Sequence, residues 1–172
     1  MKIGFIGGTG SEGIGLASRF AMRNMEVGIG SRNIEKSFSV AREISENISS
    51  STKIFSGLNS EVAHESDVVF VCVPYYAQKN ILKDLSQFLI GKIVVTVVVP
   101  VVFKKGVVEV SKTQSGSAAI ELQELLIESR VVSAFQTISA RDLKIINNPI
   151  NSDVVVCSDD KSALNVVMDL AE

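Results

Sequence analysis

The residues best suited to chemistry stand within the first fifteen positions. Gly8-Thr9-Gly10-Ser11-Glu12-Gly13 has the spacing G-x-G-x-x-G, with Gly7 before it and Gly15 behind it. Glycine serves where φ must turn positive or where a ligand must approach the main chain. Gly8 is read as permitting a tight turn and Gly10 as admitting a pyrophosphate. Gly13 and Gly15 are read as letting the following helix pack close to a sheet. The orphan N–H groups and positive end of that helix would face the phosphates. Thr9, Ser11 and Glu12 are placed to donate backbone N–H groups. Gly8 and Gly13 also have Walker A spacing, but Ile14 and Gly15 stand where that loop needs Lys and Ser/Thr.

A second group of residues decides which nucleotide would be read. NAD proteins place an acid at the end of the second strand, about 20 residues past the glycines, to bond the ribose 2′-hydroxyl. Here that position reads Gly30-Ser31-Arg32, with Lys36 four residues beyond Arg32, and the nearest acid, Glu26, begins the strand instead. A hydroxyl and two cations suit a 2′-phosphate, with the guanidinium able to make paired bonds. NADP is therefore expected over NAD. Solvated helix-face charges are the plain alternative for Arg32 and Lys36.

Positioning these groups requires a frame, and the chain alternates in the way that supplies one. Strands are expected at "KIGFI", "EVGIG", "TKIFSG", "DVVFVCV", "KIVVTVVV", "RVVSAF" and "DVVVCS". Helices are expected over Glu12–Asn24, from an Asn33 cap to Asn47, around Leu58–His64, from Pro74 to about Phe88, over "SGSAAIELQELLIES", and over "DDKSALNVVMDLAE". "PVVFKKG" is read as a loop, and the Ser-rich "SENISSSTK" as a surface loop. Apolar strands alternating with helices imply an α/β fold: a doubly wound, mostly parallel sheet with helices on both faces, the Rossmann NAD(P)-binding type.

Composition narrows the function. The 172 residues carry 46 % hydrophobic and 21 % charged side chains, a balance for one soluble domain with a sizeable core. The net charge of −2 gives no electrostatic case for nucleic acid, and 6 % aromatics without Trp give no base-stacking platform. The longest apolar run, Ile93 to Phe103, has 11 residues, too few for the about 20 that a membrane helix needs. "MKIGFIGG" enters a strand at once, so no signal peptide is expected and the protein is read as cytoplasmic. Cys72 and Cys157 lie in β-branched runs and read as buried thiols, with no metal site nearby. His64, the one histidine, is expected at the surface. Asp159 and Asp160 read as a helix cap and a first-turn charge, and Arg141 as a phosphate contact or a solvated loop residue.

"IGGTGSEGIGLA", "GSRNIEK", "VVFVCVPYYA", "KIVVTVVVPV", "VVSAFQTISA" and "DVVVCSDD", in this order and spacing, resemble the deazaflavin (coenzyme F420)-dependent NADP reductases. The same fold occurs as the oxidoreductase domain of the STEAP metalloreductases. The resemblance implies hydride exchange between NADP(H) and a second redox cofactor, a deazaflavin or a flavin, that acts as substrate. It implies that Thr9, Gly10, Ser11 and Glu12 hold the pyrophosphate and that Ser31, Arg32 and Lys36 hold the 2′-phosphate. Val73, Pro74 and Tyr75 would line the adenosine–ribose side and the path to the nicotinamide. Val99 and Pro100 would border the nicotinamide, and residues 134–138 the second cofactor. Gln136 falls where the archaeal reductases carry a histidine and STEAP-type domains an amide.

Hydride transfer between cofactors needs geometry more than acid–base groups, so no catalytic side chain is assigned. The family continues past the helix in which this chain ends. Residues 1–172 are accordingly expected to form a single dinucleotide-binding domain without the family's C-terminal helical portion, with homodimer formation left open. The second reading is an NADP-binding module without catalytic activity. A dehydrogenase acting on a small organic substrate is a third.

Overall fold

The computed structural model describes residues 1–48, 51–104 and 106–172. Ser49 and Ser50 of the expected Ser-rich loop, and Lys105 of "PVVFKKG", lie outside the described residues. Six parallel strands form one sheet in the order β3-β2-β1-β4-β5-β8. They are β1 (Lys2–Ile6), β2 (Glu26–Ser31), β3 (Ile54–Leu58), β4 (Val68–Val71), β5 (Ile93–Thr96) and β8 (Arg130–Ser133). The order reverses beside β1, so the C-terminal ends of β1 and β4 open the crevice where doubly wound sheets bind ligands.

The inner strands β1, β4 and β5 are buried on both faces and split their side chains between two cores, while the edge strand β3 is half-buried. Phe5, Ile29, Val68 and Phe70 point one way, toward α1 (Ser11–Met22), α2 (Ile34–Asn47) and α7 (Lys161–Ala171). Ile6, Val69, Val71 and Val94 point the other way, toward α4 (Tyr75–Leu89) and α5 (Ala118–Leu125). The period-2 alternation of a strand requires this division. Ala63 of α3 (Asn59–Glu65) joins the second core. The first core centres on Phe5, Phe20, Phe70 and Phe135, with the Phe5 and Phe70 rings stacked at 5.2 Å.

Helix starts follow the sequence signals closely. Asn33 caps α2 by accepting from the Lys36 amide at 2.9 Å, and Asp160 caps α7 by accepting from Ala163 at 2.8 Å. Asp159 stands outside the helix rather than in its first turn. Ser117 caps α5, which is shorter at both ends than expected.

Two segments differ from expectation. "PVVFKKG" is not a loop throughout: Val101–Lys104 (β6) pairs antiparallel with Val107–Val110 (β7). Valines flank a turn in which Gly106 takes φ +83°, so the segment pairs with its own continuation after Pro100 ends the buried run. "DVVVCS" forms one antiparallel bridge, Ser133 with Cys157, rather than a strand. Side chains hold the rest of it: Ser158 donates to the Val131 carbonyl at 2.7 Å and Thr137 to the Asp153 carbonyl at 3.0 Å. Val154 and Val156 of this run pack against the core while its Cys157 is exposed, contrary to the expected burial. Both cysteines are free thiols. Between Ile138 and Asn151 the chain forms the short helix α6 (Ala140–Leu143), which the sequence reading did not anticipate. No helix among the described residues is long and apolar enough to cross a membrane.

Phe70 is fully buried at the centre of the aromatic cluster. Phe70→Ala is expected to lower unfolding stability by about 3–5 kcal/mol through lost transfer energy and a residual cavity, measured by urea denaturation.

Candidate dinucleotide-binding site

The glycines divide into those the fold requires and one it does not. The left-handed residue of the loop is Gly7, at φ +71°, rather than Gly8; a Cβ on Gly7 would come 2.7 Å from Val73. Gly8 is needed for another reason. Its amide donates to the carbonyls of Phe5 at 3.1 Å and Gly30 at 2.9 Å, and a Cβ there would press on Phe5 at 2.9 Å. A Cβ on Gly13 would lie 2.7 Å from the Gly8 Cα, so this glycine lets helix and loop touch. Gly15 clears space for α6 rather than for the sheet: its Cβ would lie 2.5 Å from that of Leu143.

Gly10 is different. It has an ordinary extended backbone, φ −82° and ψ 165°, and a Cβ would meet only the Gly7 and Cys72 carbonyl oxygens at 3.5 and 3.9 Å. The protein itself would tolerate a side chain here. What that side chain would occupy is the approach to the start of α1. Helix α1 has no side-chain cap, and among the described residues the amides of Thr9, Ser11, Glu12 and Gly13 have no protein acceptor. The Gly10 amide bonds the Gly7 carbonyl at 3.1 Å, so Gly10 offers clearance and its neighbours offer N–H groups. This arrangement fits a pyrophosphate.

Ser31 ends β2 and is buried, with its Oγ accepting from the Asn33 amide at 3.2 Å. Arg32 and Lys36 follow it, both exposed, and neither side chain has a hydrogen bond or acidic partner among the described residues. The bond from Gly8 to Gly30 ties this cationic corner to the glycine loop. Asn59, which the sequence reading missed, braces the same junction: its Oδ1 accepts from the Gly7 amide at 3.1 Å. Only the chain path of β3 into α3 brings it there, so local sequence carries no signal for it.

Beyond the loop, the C-terminal ends of β4, β5 and β8 surround a cavity of about 550 Å³. It gathers Glu12, Val73, Pro74, Tyr75, Val99 and Gln136 of the expected site residues, whereas Ser31, Arg32 and Lys36 lie apart from it. Phe135 and Ile138 of the expected 134–138 segment also line it, and so do Cys72, Tyr76, Val97, Val98 and the hairpin residues Val101 and Val102, which the sequence reading did not assign to the site. Gln136 donates its amide N–H groups to the Thr96 carbonyl at 2.8 Å and Ser133 Oγ at 2.9 Å, fixing its loop to the sheet end. The Tyr75 hydroxyl donates to Glu121 Oε2 at 2.7 Å, which raises its pKa and ties α4 to α5. His64 is exposed on α3, and Arg141 is exposed on α6.

Glu12 brings a half-buried carboxyl to this cavity's wall. Its Oε1 is closed to solvent and has no hydrogen-bond partner, and burial pushes the carboxyl up to about 7. Burial also pushes the Cys72 thiol up, with the Glu12 charge adding to the effect, so Cys72 is no thiolate nucleophile. A neutral carboxyl near neutral pH removes a charge that would otherwise repel phosphate.

Two predictions follow from this geometry. Gly10→Ala should leave the melting temperature within a degree or two of wild type while weakening dinucleotide binding at least about tenfold (about 1.4 kcal/mol); Gly13→Ala should lower both. For Glu12, folding favours the neutral form, so the ionised form destabilises the protein increasingly as pH rises from the ordinary carboxylate value to about 7. Glu12→Gln should therefore melt a few degrees above wild type at pH 8 and together with it at pH 4.5, as read by thermal scans.

Residues 2–100 match the family model described as NADP oxidoreductase, coenzyme F420-dependent. The F420-dependent NADP reductase of Methanocaldococcus jannaschii is 39 % identical over 176 residues, covering 99 % of this chain and 78 % of that protein. The reductase of the same name from Methanothermobacter marburgensis is 36 % identical over 177 residues, covering 100 % of this chain and 79 % of the relative. Among solved structures, a candidate F420-dependent NADP reductase from Arthrobacter sp. FB24 superposes with a TM-score of 0.81 at 22 % identity, covering 99 % of this chain and 80 % of the other. Plasmodium falciparum pyrroline carboxylate reductase, solved with NADP bound, shares the fold at a TM-score of 0.63 and 16 % identity, over 99 % of this chain and 53 % of that one. With a family model matched over more than half its length and relatives above one-third identity along its whole length, this chain belongs to the coenzyme F420-dependent NADP oxidoreductase family.

Proposed function

We infer that this chain is an NADP-dependent oxidoreductase that passes hydride between NADP(H) and the deazaflavin coenzyme F420. The observation that carries the reading is a pair of cations, Arg32 and Lys36, without a partner among the described residues and tied through the Gly8–Gly30 bond to a glycine loop whose amides are free among those residues. The names of the full-length relatives support the choice of acceptor. In this reading Thr9, Gly10, Ser11 and Glu12 hold the pyrophosphate, and Ser31, Arg32 and Lys36 hold the 2′-phosphate. Val73, Pro74 and Tyr75 line the ribose side, and Val99 and Gln136 border the nicotinamide and the deazaflavin.

When bound, the nicotinamide supplies or accepts the hydride. The protein's part is orientation and exclusion of water. Val73, Val97, Val98, Val101, Phe135 and Ile138 give the cavity apolar walls, which keep water from a hydride donor. The amide of Gln136 holds the loop opposite β5 in register. No side chain in the cavity is required to carry a proton to the reacting carbon.

Residues 1–172 act as one dinucleotide-binding domain in this reading. A cytoplasmic location accompanies this reading.

Arg32→Ala should weaken NADPH binding about 10- to 100-fold, the loss of one or two charge-assisted hydrogen bonds, and change NADH binding less than about twofold. Wild-type protein should reduce coenzyme F420 with NADPH, followed by loss of the oxidised deazaflavin absorbance. Equal binding of NADPH and NADH would sink the 2′-phosphate assignment. Transfer to FMN or FAD but not to F420 would overturn the acceptor.

A further inference from the structure

The segment after β8 is docked onto α1 in a way that its own short helix does not explain. Leu143 sits in the notch left by Gly15. Arg19, on the next turn of α1, donates to four carbonyls of that segment: Asp142, Leu143, Ile145 and Asn148, each at 3.0 Å. The guanidinium gathers the carbonyls at and beyond the end of α6, adding to the backbone bonds that the Asp142 and Ile145 carbonyls already accept from Ile145 and Asn148. The docking fixes residue 144 over the start of α1, and there the Lys144 ammonium donates to Ser11 Oγ at 3.3 Å. Lys144 is exposed and has no acidic partner among the described residues.

An ammonium bonded only to a neutral hydroxyl is a poor structural contact, since a strongly hydrated ion gains little from it. Its position is informative. Ser11 is the first residue of α1, and its amide is one of the free donors facing the phosphate space. Resting on the interpretation of this loop as the dinucleotide site, we propose that Lys144 is a pyrophosphate-binding residue, moving from Ser11 onto a phosphate oxygen when the dinucleotide seats. Arg32 and Lys36 then read the phosphate that distinguishes NADP from NAD, and Lys144 reads the phosphates common to both. Arg141, read from sequence as either a phosphate contact or a solvated loop residue, is exposed on α6, and Lys144 at the end of that helix is the residue that reaches the loop.

The test separates the two cationic groups by ligand. Titrate wild type, Lys144→Gln, Lys144→Arg and Arg32→Ala with NADPH, NADH and 2′-AMP, which carries the 2′-phosphate and no pyrophosphate. Lys144→Gln should weaken NADPH and NADH by the same factor, about tenfold, and leave 2′-AMP unchanged. Lys144→Arg should recover most of that loss. The melting temperature of Lys144→Gln should stay at the wild-type value, because the side chain is exposed. Wild-type affinity of Lys144→Gln for both dinucleotides would overturn the proposal, as would a loss confined to NADPH or shared by 2′-AMP. Wild-type protein that binds neither dinucleotide would overturn the dinucleotide reading itself, and this proposal with it.

Discussion

The amide of Gly8, shared between the carbonyls of Phe5 and Gly30, is the contact on which the rest of the site depends. It closes the turn at the end of β1 and at the same time fastens that turn to the end of β2. Both demands are steric before they are electrostatic. The turn needs the left-handed backbone of Gly7, and the shared bond needs Gly8 without a Cβ beside Phe5. Once these are met, the start of α1 and the corner carrying Ser31, Arg32 and Lys36 have a fixed relation. The glycine loop with its free amides and the cationic corner at the end of β2 are joined through the Gly8–Gly30 hydrogen bond.

Electrostatic design here is local. The molecule carries a net charge of −2, yet it fits an anionic cofactor. Arg32, Lys36 and Lys144, which have no acidic partner among the described residues, stand around the loop, and the loop's own carboxyl, Glu12, is held toward its neutral form by burial. Global charge governs solubility and encounter; the placing of a few groups governs what is bound.

The sequence made the framework legible because its signals are local. Apolar runs such as "KIGFI" and "DVVFVCV" separated by helical-period segments form the parallel sheet, and Asn33 and Asp160 cap the helices they precede. The glycine spacing located the loop, but assigning each glycine its task required the neighbours a Cβ would meet, and those come from distant segments: Val73, Leu143, Cys72. The same reason hides Asn59 and Lys144. Neither belongs to a motif; each reaches the loop only because a crossover returns the chain there. The hairpin after Pro100 and the outward turn of Cys157 were misread because β-branched runs look alike whether they enter the sheet, pair with themselves or lie along its edge.

Phe135 links the two halves of the molecule in another way. It is a non-glycine residue at φ +69°, and its ring lines both the 550 Å³ cavity and a second one of about 360 Å³ between α1 and the end of α7. One aromatic ring is thus a partition between two compartments. A left-handed backbone at such a residue stores about 1–3 kcal/mol of strain, held in place by the rings of Phe20 and Phe70. Ile138 lines both cavities as well, so the short loop after β8 is a wall with a compartment on each side, and a change in its packing would be felt in both.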